Sequence, residues 1–155
     1  GMLYERRHTK KLADYGGILK ALPVFGAISL VITLSSMGLP GLNGFIGEFT
    51  ILLGTFGSDV LGFFFALFAT LGIILAAVYM LYMFQKVFMG ELDKEENKHL
   101  HGINWMEYAA LVPVLIAIFL IGIYPALFFG PMDSTVSSIV AQVSQFVTTV
   151  AQAVP

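Results

Sequence analysis

The chain has 155 residues, of which 57% are hydrophobic and 12% are charged, and its formal net charge is -2. A soluble domain carries about 25% charged residues, so the charged fraction of this chain is roughly half of the usual value. The near-neutral charge gives no reason to expect a nucleic acid partner, and the absence of cysteine excludes disulfides, thiol catalysis and cysteine-based metal sites. These properties favour an integral membrane protein.

The chain begins with a basic segment at residues 1–21, which contains five of its eight lysine and arginine residues. Loops on the cytoplasmic side of a membrane collect lysine and arginine. We therefore predict a cytoplasmic-side loop for this segment.

The next segment, residues 22–57, is apolar except for one acid, Glu48, in its second half. As a continuous helix it would be about 50 Å long, which is too long for one upright crossing of a bilayer core of about 30 Å. Proline removes a hydrogen-bond donor and glycine costs backbone entropy, so both disfavour helix. The residues expected to break the helix within residues 38–44 are Gly38, Pro40, Gly41 and Gly44. The segment is either a hairpin of two short helices or one crossing made of two half-helices.

The distribution of basic residues favours one interrupted crossing. If residues 22–57 cross once, all eight lysines and arginines lie on the same side, whereas a hairpin divides them five against three. We therefore expect a discontinuous transmembrane helix broken at residues 38–44. Lipid cannot bond to freed backbone groups, so such a break needs surrounding protein or a water-filled cavity. Transporters place breaks of this kind at their ion sites.

Glu48 is the main candidate functional residue. An ionised carboxylate in hydrocarbon costs about 2.5 kcal/mol or more, so its neutral form is favoured there. The amino-terminal end of a half-helix favours the anion instead. A carboxyl group whose neutral form is favoured by hydrocarbon and whose anion is favoured by a helix end can accept and release protons. We therefore predict that Glu48 is a proton relay. The alternative is a structural hydrogen bond or an ion pair to another helix.

Two further transmembrane helices are predicted at residues 60–89 and 106–130, since each contains an uncharged stretch of more than about 20 residues. Lys86 lies near the end of the first and is a second candidate for proton transfer, although such lysines commonly extend to the membrane interface. The loop between them, residues 90–105, mixes both charges and is predicted to be solvated.

The tail, residues 134–154, carries valines at spacings of four and three, at positions 136, 140, 143, 147, 150 and 154. This is the period of an amphipathic helix. Because the tail has no basic residue, it is expected to dock on protein or to lie at the interface. The predicted fold is therefore all-α and polytopic, with three transmembrane crossings, the first discontinuous, and a carboxyl-terminal amphipathic helix.

Three stretches resemble a known family: Tyr4-Glu5-Arg6-Arg7-His8-Thr9, then Gly38-Leu39-Pro40-Gly41-Leu42-Asn43-Gly44-Phe45-Ile46-Gly47-Glu48-Phe49, then residues 79–90. They resemble the M-type (chain 4) antiporter-like subunit of proton-pumping NADH:quinone oxidoreductase, respiratory complex I. Sister subunits and related cation/proton antiporters tend to have lysine at the position of Glu48, so the glutamate indicates the M type.

The resemblance implies that this chain supplies the last three transmembrane helices of a larger subunit. It implies that Glu48 is a terminal member of a chain of charged residues that leads protons out, with its lysine and glutamate partners on earlier helices. The implied partners are the other membrane subunits, the lipid bilayer of a bacterial inner or equivalent energy-transducing membrane, and protons. Redox chemistry belongs to other subunits, so neither a cofactor nor a metal site is expected here. The alternatives are a sodium/proton antiporter-type subunit and a purely structural membrane module.

Overall fold

The computed structural model describes residues 1–153, and every regular element in this part of the chain is helical. The predicted all-α class is confirmed. The elements are, in chain order, α1 (Met2–Arg7), a 3-10 helix (Leu12–Asp14), α2 (Ile18–Ala21), α3 (Pro23–Ser36), α4 (Asn43–Phe56), α5 (Gly62–Phe88), α6 (Glu95–Lys98), α7 (Trp105–Ile123) and α8 (Ala126–Ala153).

Two of these helices, α5 and α7, are long and apolar enough to cross a membrane. They have 27 and 19 residues, which corresponds to lengths of about 40 Å and 28 Å. Only 6% of the most apolar window of each helix is buried inside the structure. A helix that is apolar all round is covered by lipid or by other protein. A shorter apolar helix, α3, has 14 residues.

The buried core lies where α2, the beginning of α3 and the end of α5 meet. Its apolar members are Ile18, Leu22, Phe84, Val87 and Phe88. The rings of Phe84 and Phe88 stack with their centroids 4.8 Å apart, and Phe25 of α3 lies 5.9 Å from Phe88. The core therefore fixes the beginning of α3 beside the carboxyl end of α5.

The opposite end of α5 meets the end of α4. Phe56 is the last residue of α4, and its ring centroid lies 6.3 Å from that of Phe63 in the first turn of α5. Thus α3 begins beside the end of α5, and α4 ends beside its beginning. The two short helices, α3 and then α4, therefore lie one after the other along α5 and run antiparallel to it.

The helix predicted at residues 106–130 ends earlier than residue 130. α7 stops at Ile123, because Pro125 has no amide hydrogen and disfavours a helical conformation at the residue before it. A separate compact unit begins at Tyr124 and contains the 28-residue α8. Four of its predicted stripe residues are between 49% and 58% exposed, namely Val136, Val140, Val143 and Val147. The side chain of Val150 and the whole of Val154 lie outside the described residues.

Candidate functional site: an interrupted helix and its carboxylate

Residues 37–42 form a non-helical segment, the interruption, between α3 and α4. The amide of Gly38 donates to the carbonyl of Ser35, and that of Leu39 donates to the carbonyl of Leu34, each at 3.1 Å. Gly38 is left-handed, with φ of 72°. These bonds and this conformation form a Schellman motif, which commonly ends helices. α3 therefore ends here because glycine adopts the left-handed conformation without the steric cost that other residues incur.

The beginning of α4 lies against the end of α3. The hydroxyl of Ser35 donates a hydrogen bond to Oδ1 of Asn43. The α-carbon of Gly44 lies so close to the Ser35 carbonyl oxygen that an added Cβ would overlap it. Ser35 itself is buried. One polar bond and one glycine contact thus join the two short helices at the interruption.

The end of α7 covers the interruption on one side. An added Cβ on Gly122 would overlap the carbonyl of Gly41, so the two backbones are in direct contact. The neighbouring Leu42 is buried. Protein contact of this kind is what non-helical backbone requires at membrane depth.

Glu48 is the sixth residue of α4, and its side chain reaches back to the interruption. Its Oε2 lies directly against the α-carbon of Gly38, where a Cβ would overlap it. The side chain is half-buried. Among the residues that the structure describes, none donates a hydrogen bond to this carboxylate or pairs with it as a cation. The structure therefore brings Glu48 together with Gly38, the first of the predicted helix-breaking residues.

Lys86 lies apart from Glu48, near the carboxyl end of α5. Its ammonium is 5.6 Å from the centroid of the Tyr82 ring. It lines a cavity of about 550 Å³ whose other polar and charged walls include Tyr15, Gln85, Glu91, Asp93 and Lys94. Burial raises the pKa of the Tyr15 hydroxyl. Within the described part of the chain, no cluster of three or more His, Asp or Glu side chains is placed to hold a metal ion.

A cluster centred on Arg6, which was not predicted from the sequence, joins α1 to the beginning of α7. The two terminal nitrogens of Arg6 donate to the two carboxylate oxygens of Glu107, each at 2.6 Å. Three further bonds of 2.9 Å reach the carbonyls of Met2, His101 and Gly102. All five guanidinium donors are therefore used. The bonds to Glu107 raise the pKa of Arg6 above its ordinary value.

Glu107 also closes the first turn of α7. Its Oε2 accepts a hydrogen bond of 2.7 Å from the amide of Asn104, which is the reach-back bond of a capping box. The spacing Asn104-x-x-Glu107 is a sequence signal that could have located this helix start. The partner, Arg6, is 101 residues away and carries no local signal.

Comparison with known proteins gives one family and a consistent set of relatives. The profile of the family described as "NADH:quinone oxidoreductase/Mrp antiporter, TM" matches residues 1–74. The chain is 37% identical over 153 residues to NADH-quinone oxidoreductase subunit M of Rhodobacter capsulatus, covering 99% of this chain and 29% of that protein. It is 36% identical over 140 residues to NADH-ubiquinone oxidoreductase chain 4 of Arabidopsis thaliana, covering 90% of this chain and 28% of that protein.

A solved structure agrees with these relatives. Respiratory complex I from Thermus thermophilus with bound NADH contains a chain that matches 81% of this one, with a TM-score of 0.72 and 33% sequence identity. The match covers 26% of the Thermus chain. This chain thus spans less than a third of the length of the relatives that it matches. The family resemblance predicted from the sequence is confirmed.

Proposed function

We propose that this chain forms part of a proton-translocating, antiporter-like subunit of an NADH:quinone oxidoreductase complex, because it is similar to the M-type (chain 4) subunits of such complexes and has apolar helices long enough to span a membrane. The redox chemistry then takes place in other subunits, and this chain moves protons within the membrane. The partners proposed for it are the other membrane subunits, the surrounding lipid and the protons themselves.

The proposed topology has three crossings, and the first consists of α3 and α4 separated by the interruption. It is supported by the contacts at the two ends of α5: Phe25 lies beside Phe88, and Phe56 lies beside Phe63. A hairpin would instead return Phe56 towards the end of α5. The single crossing also puts all eight lysines and arginines on one side, which is the cytoplasmic side by the charge rule.

The observation that carries the proposed function is the contact between Glu48 and the interruption. Its carboxylate lies against Gly38 and has no partner among the described residues. A half-buried carboxyl group without a partner is stabilised in a membrane by taking up a proton or by a partner on another element. We therefore assign Glu48 the role of a proton relay at the interruption. Lys86 is a second candidate, because its ammonium lines a polar cavity at the charged-loop end of α5.

Replacing Glu48 by Gln tests this function. The amide has nearly the same shape but does not exchange a proton as a carboxyl group does, so proton translocation per electron pair by the assembled complex is expected to fall severalfold. Glu48→Asp is the matched control, since it keeps the acid and is expected to retain more translocation than Glu48→Gln. The measurement is proton uptake into vesicles during quinone reduction, normalised to the amount of assembled complex.

The two alternatives give different results in the same assay. Unchanged stoichiometry and rate in Glu48→Gln would end the relay role. If Glu48 is instead a structural ion-pair partner for another subunit, Glu48→Gln lowers the amount of assembled complex while translocation per complex is preserved. A sodium/proton antiporter-type subunit would show transport that depends on sodium, whereas the proposed function predicts the same translocation when sodium is replaced by potassium.

A further inference from the structure

Two glycines of the interruption adopt left-handed conformations, but only one of them touches the functional carboxylate. Gly38 has φ of 72° and Gly41 has φ of 93°. A Cβ added to Gly41 would meet no atom within 4 Å. A Cβ added to Gly38 would overlap Oε2 of Glu48. The backbone conformation explains glycine at both positions, whereas the contact with the carboxylate is particular to Gly38.

The contact also fixes where the carboxylate lies. Gly38 is the second residue after the end of α3, and its amide donates a hydrogen bond to the Ser35 carbonyl. Ser35 is in turn joined to Asn43, in the first turn of α4, through its hydroxyl. Glu48 is carried by that same helix, one turn further on. The Gly38–Ser35 and Ser35–Asn43 hydrogen bonds and the unsubstituted α-carbon of Gly38 together define the position of the carboxylate between the two half-helices.

We propose that Gly38 is a positioning residue for Glu48, and that its missing side chain provides the space in which the carboxylate lies at the interruption. This inference rests on the proposed function of Glu48 and adds to it the residue that sets the position of the carboxylate. Proton transfer needs donor and acceptor within hydrogen-bond reach of about 2.6–3.2 Å. A methyl group at position 38 displaces the Glu48 carboxylate from this position and therefore moves it out of reach of its proton donor or acceptor.

The test compares Gly38→Ala with Gly41→Ala in the assembled complex. Both variants put alanine at a positive φ that L-residues rarely adopt, so the backbone is strained in both. Only Gly38→Ala places a methyl group on the carboxylate. We expect Gly38→Ala to lower proton translocation per assembled complex severalfold, and Gly41→Ala to lower it much less, because the methyl group at position 41 meets no atom within 4 Å.

A rescue variant separates positioning from damage to the fold. Glu48→Asp shortens the side chain by one methylene, so its carboxylate does not reach the added methyl group. The further loss caused by Gly38→Ala is therefore expected to disappear in the Glu48→Asp background. Equal translocation per complex in Gly38→Ala and Gly41→Ala would overturn the inference, as would a loss that persists in the Glu48→Asp background. Failure of the relay itself is recognised separately, from full translocation in Glu48→Gln.

Discussion

Replacing Arg6 by Ala is expected to destabilise the chain by about 2–3 kcal/mol and to reduce the amount of assembled complex. The substitution removes all five guanidinium bonds and leaves Glu107 without its cation. The expected loss of stability is below the roughly 3–5 kcal/mol typical of fully buried pairs, because the side chains of Arg6 and Glu107 are 11% and 14% exposed. The measurement is the thermal unfolding midpoint of the complex in detergent, together with its yield from membranes.

Two variants separate the geometry of the cluster from its charge. Arg6→Lys keeps the charge but cannot form the bidentate pair, so it is expected to behave more like Arg6→Ala than like the unmodified chain. Glu107→Gln removes the negative charge with little change of shape and should be of intermediate stability. If Arg6→Ala left both the midpoint and the yield unchanged, the cluster would not be what joins α1 to α7.

The stabilisation by Arg6 should be independent of pH near neutrality. Its pKa is raised in the folded chain by the hydrogen bonds to Glu107. A group with a raised pKa stabilises the fold fully below its unfolded pKa, and it loses that effect only as the pH rises through the folded value. Both values lie far above neutral pH, so the difference in midpoint between Arg6→Ala and the unmodified chain should stay constant across the neutral range.

The second large effect is expected from Gly44→Ala, which places a methyl group on the Ser35 carbonyl oxygen. The obstacle is backbone at the end of a helix, so it cannot move aside as the end of a flexible side chain does. Overpacking of this kind costs about 1–3 kcal/mol, and separation of the half-helices would also break the bond between Ser35 and Asn43. We expect a lower unfolding midpoint and a loss of translocation, since Glu48 is carried by the displaced helix.

Gly47 and Gly54 provide matched controls on the same helix. A Cβ at either position meets no atom of this chain within 4 Å. Alanine is the better helix former by about 1 kcal/mol, so Gly47→Ala and Gly54→Ala should be neutral or stabilising. If Gly44→Ala were as stable as these two variants, the close approach of the half-helices would be absent from the protein in its membrane.

Local chemistry explains what the sequence could predict. The long helices α5 and α7 were predictable because their apolar stretches are long enough to span a bilayer. The interruption was located by glycine and proline, whose effects on the backbone are local. Gly38 lies within the predicted break for this reason, and the Schellman motif gives the physical cause. The early end of α7 follows from Pro125. Hydropathy alone does not predict this end, because the segment remains apolar beyond the proline.

The contacts between distant elements could not be predicted from the sequence. Arg6 and Glu107 are 101 residues apart, and their pairing depends on how α1 and α7 pack. The direction of the Glu48 side chain depends on the path of the backbone through residues 37–42 and on the contact of α7 with that path. The sequence therefore predicted Glu48 as the candidate acid, but the residue against which it lies, Gly38, emerged only from the three-dimensional arrangement.

Infrared difference spectroscopy of the assembled complex tests directly whether Glu48 exchanges a proton during turnover. Spectra recorded before and after reduction by NADH would contain a change in the carboxylic acid carbonyl band, and this change is predicted to be missing in Glu48→Gln. Identical difference spectra with and without Glu48 would contradict the account, because the acid would then keep one protonation state while the complex works.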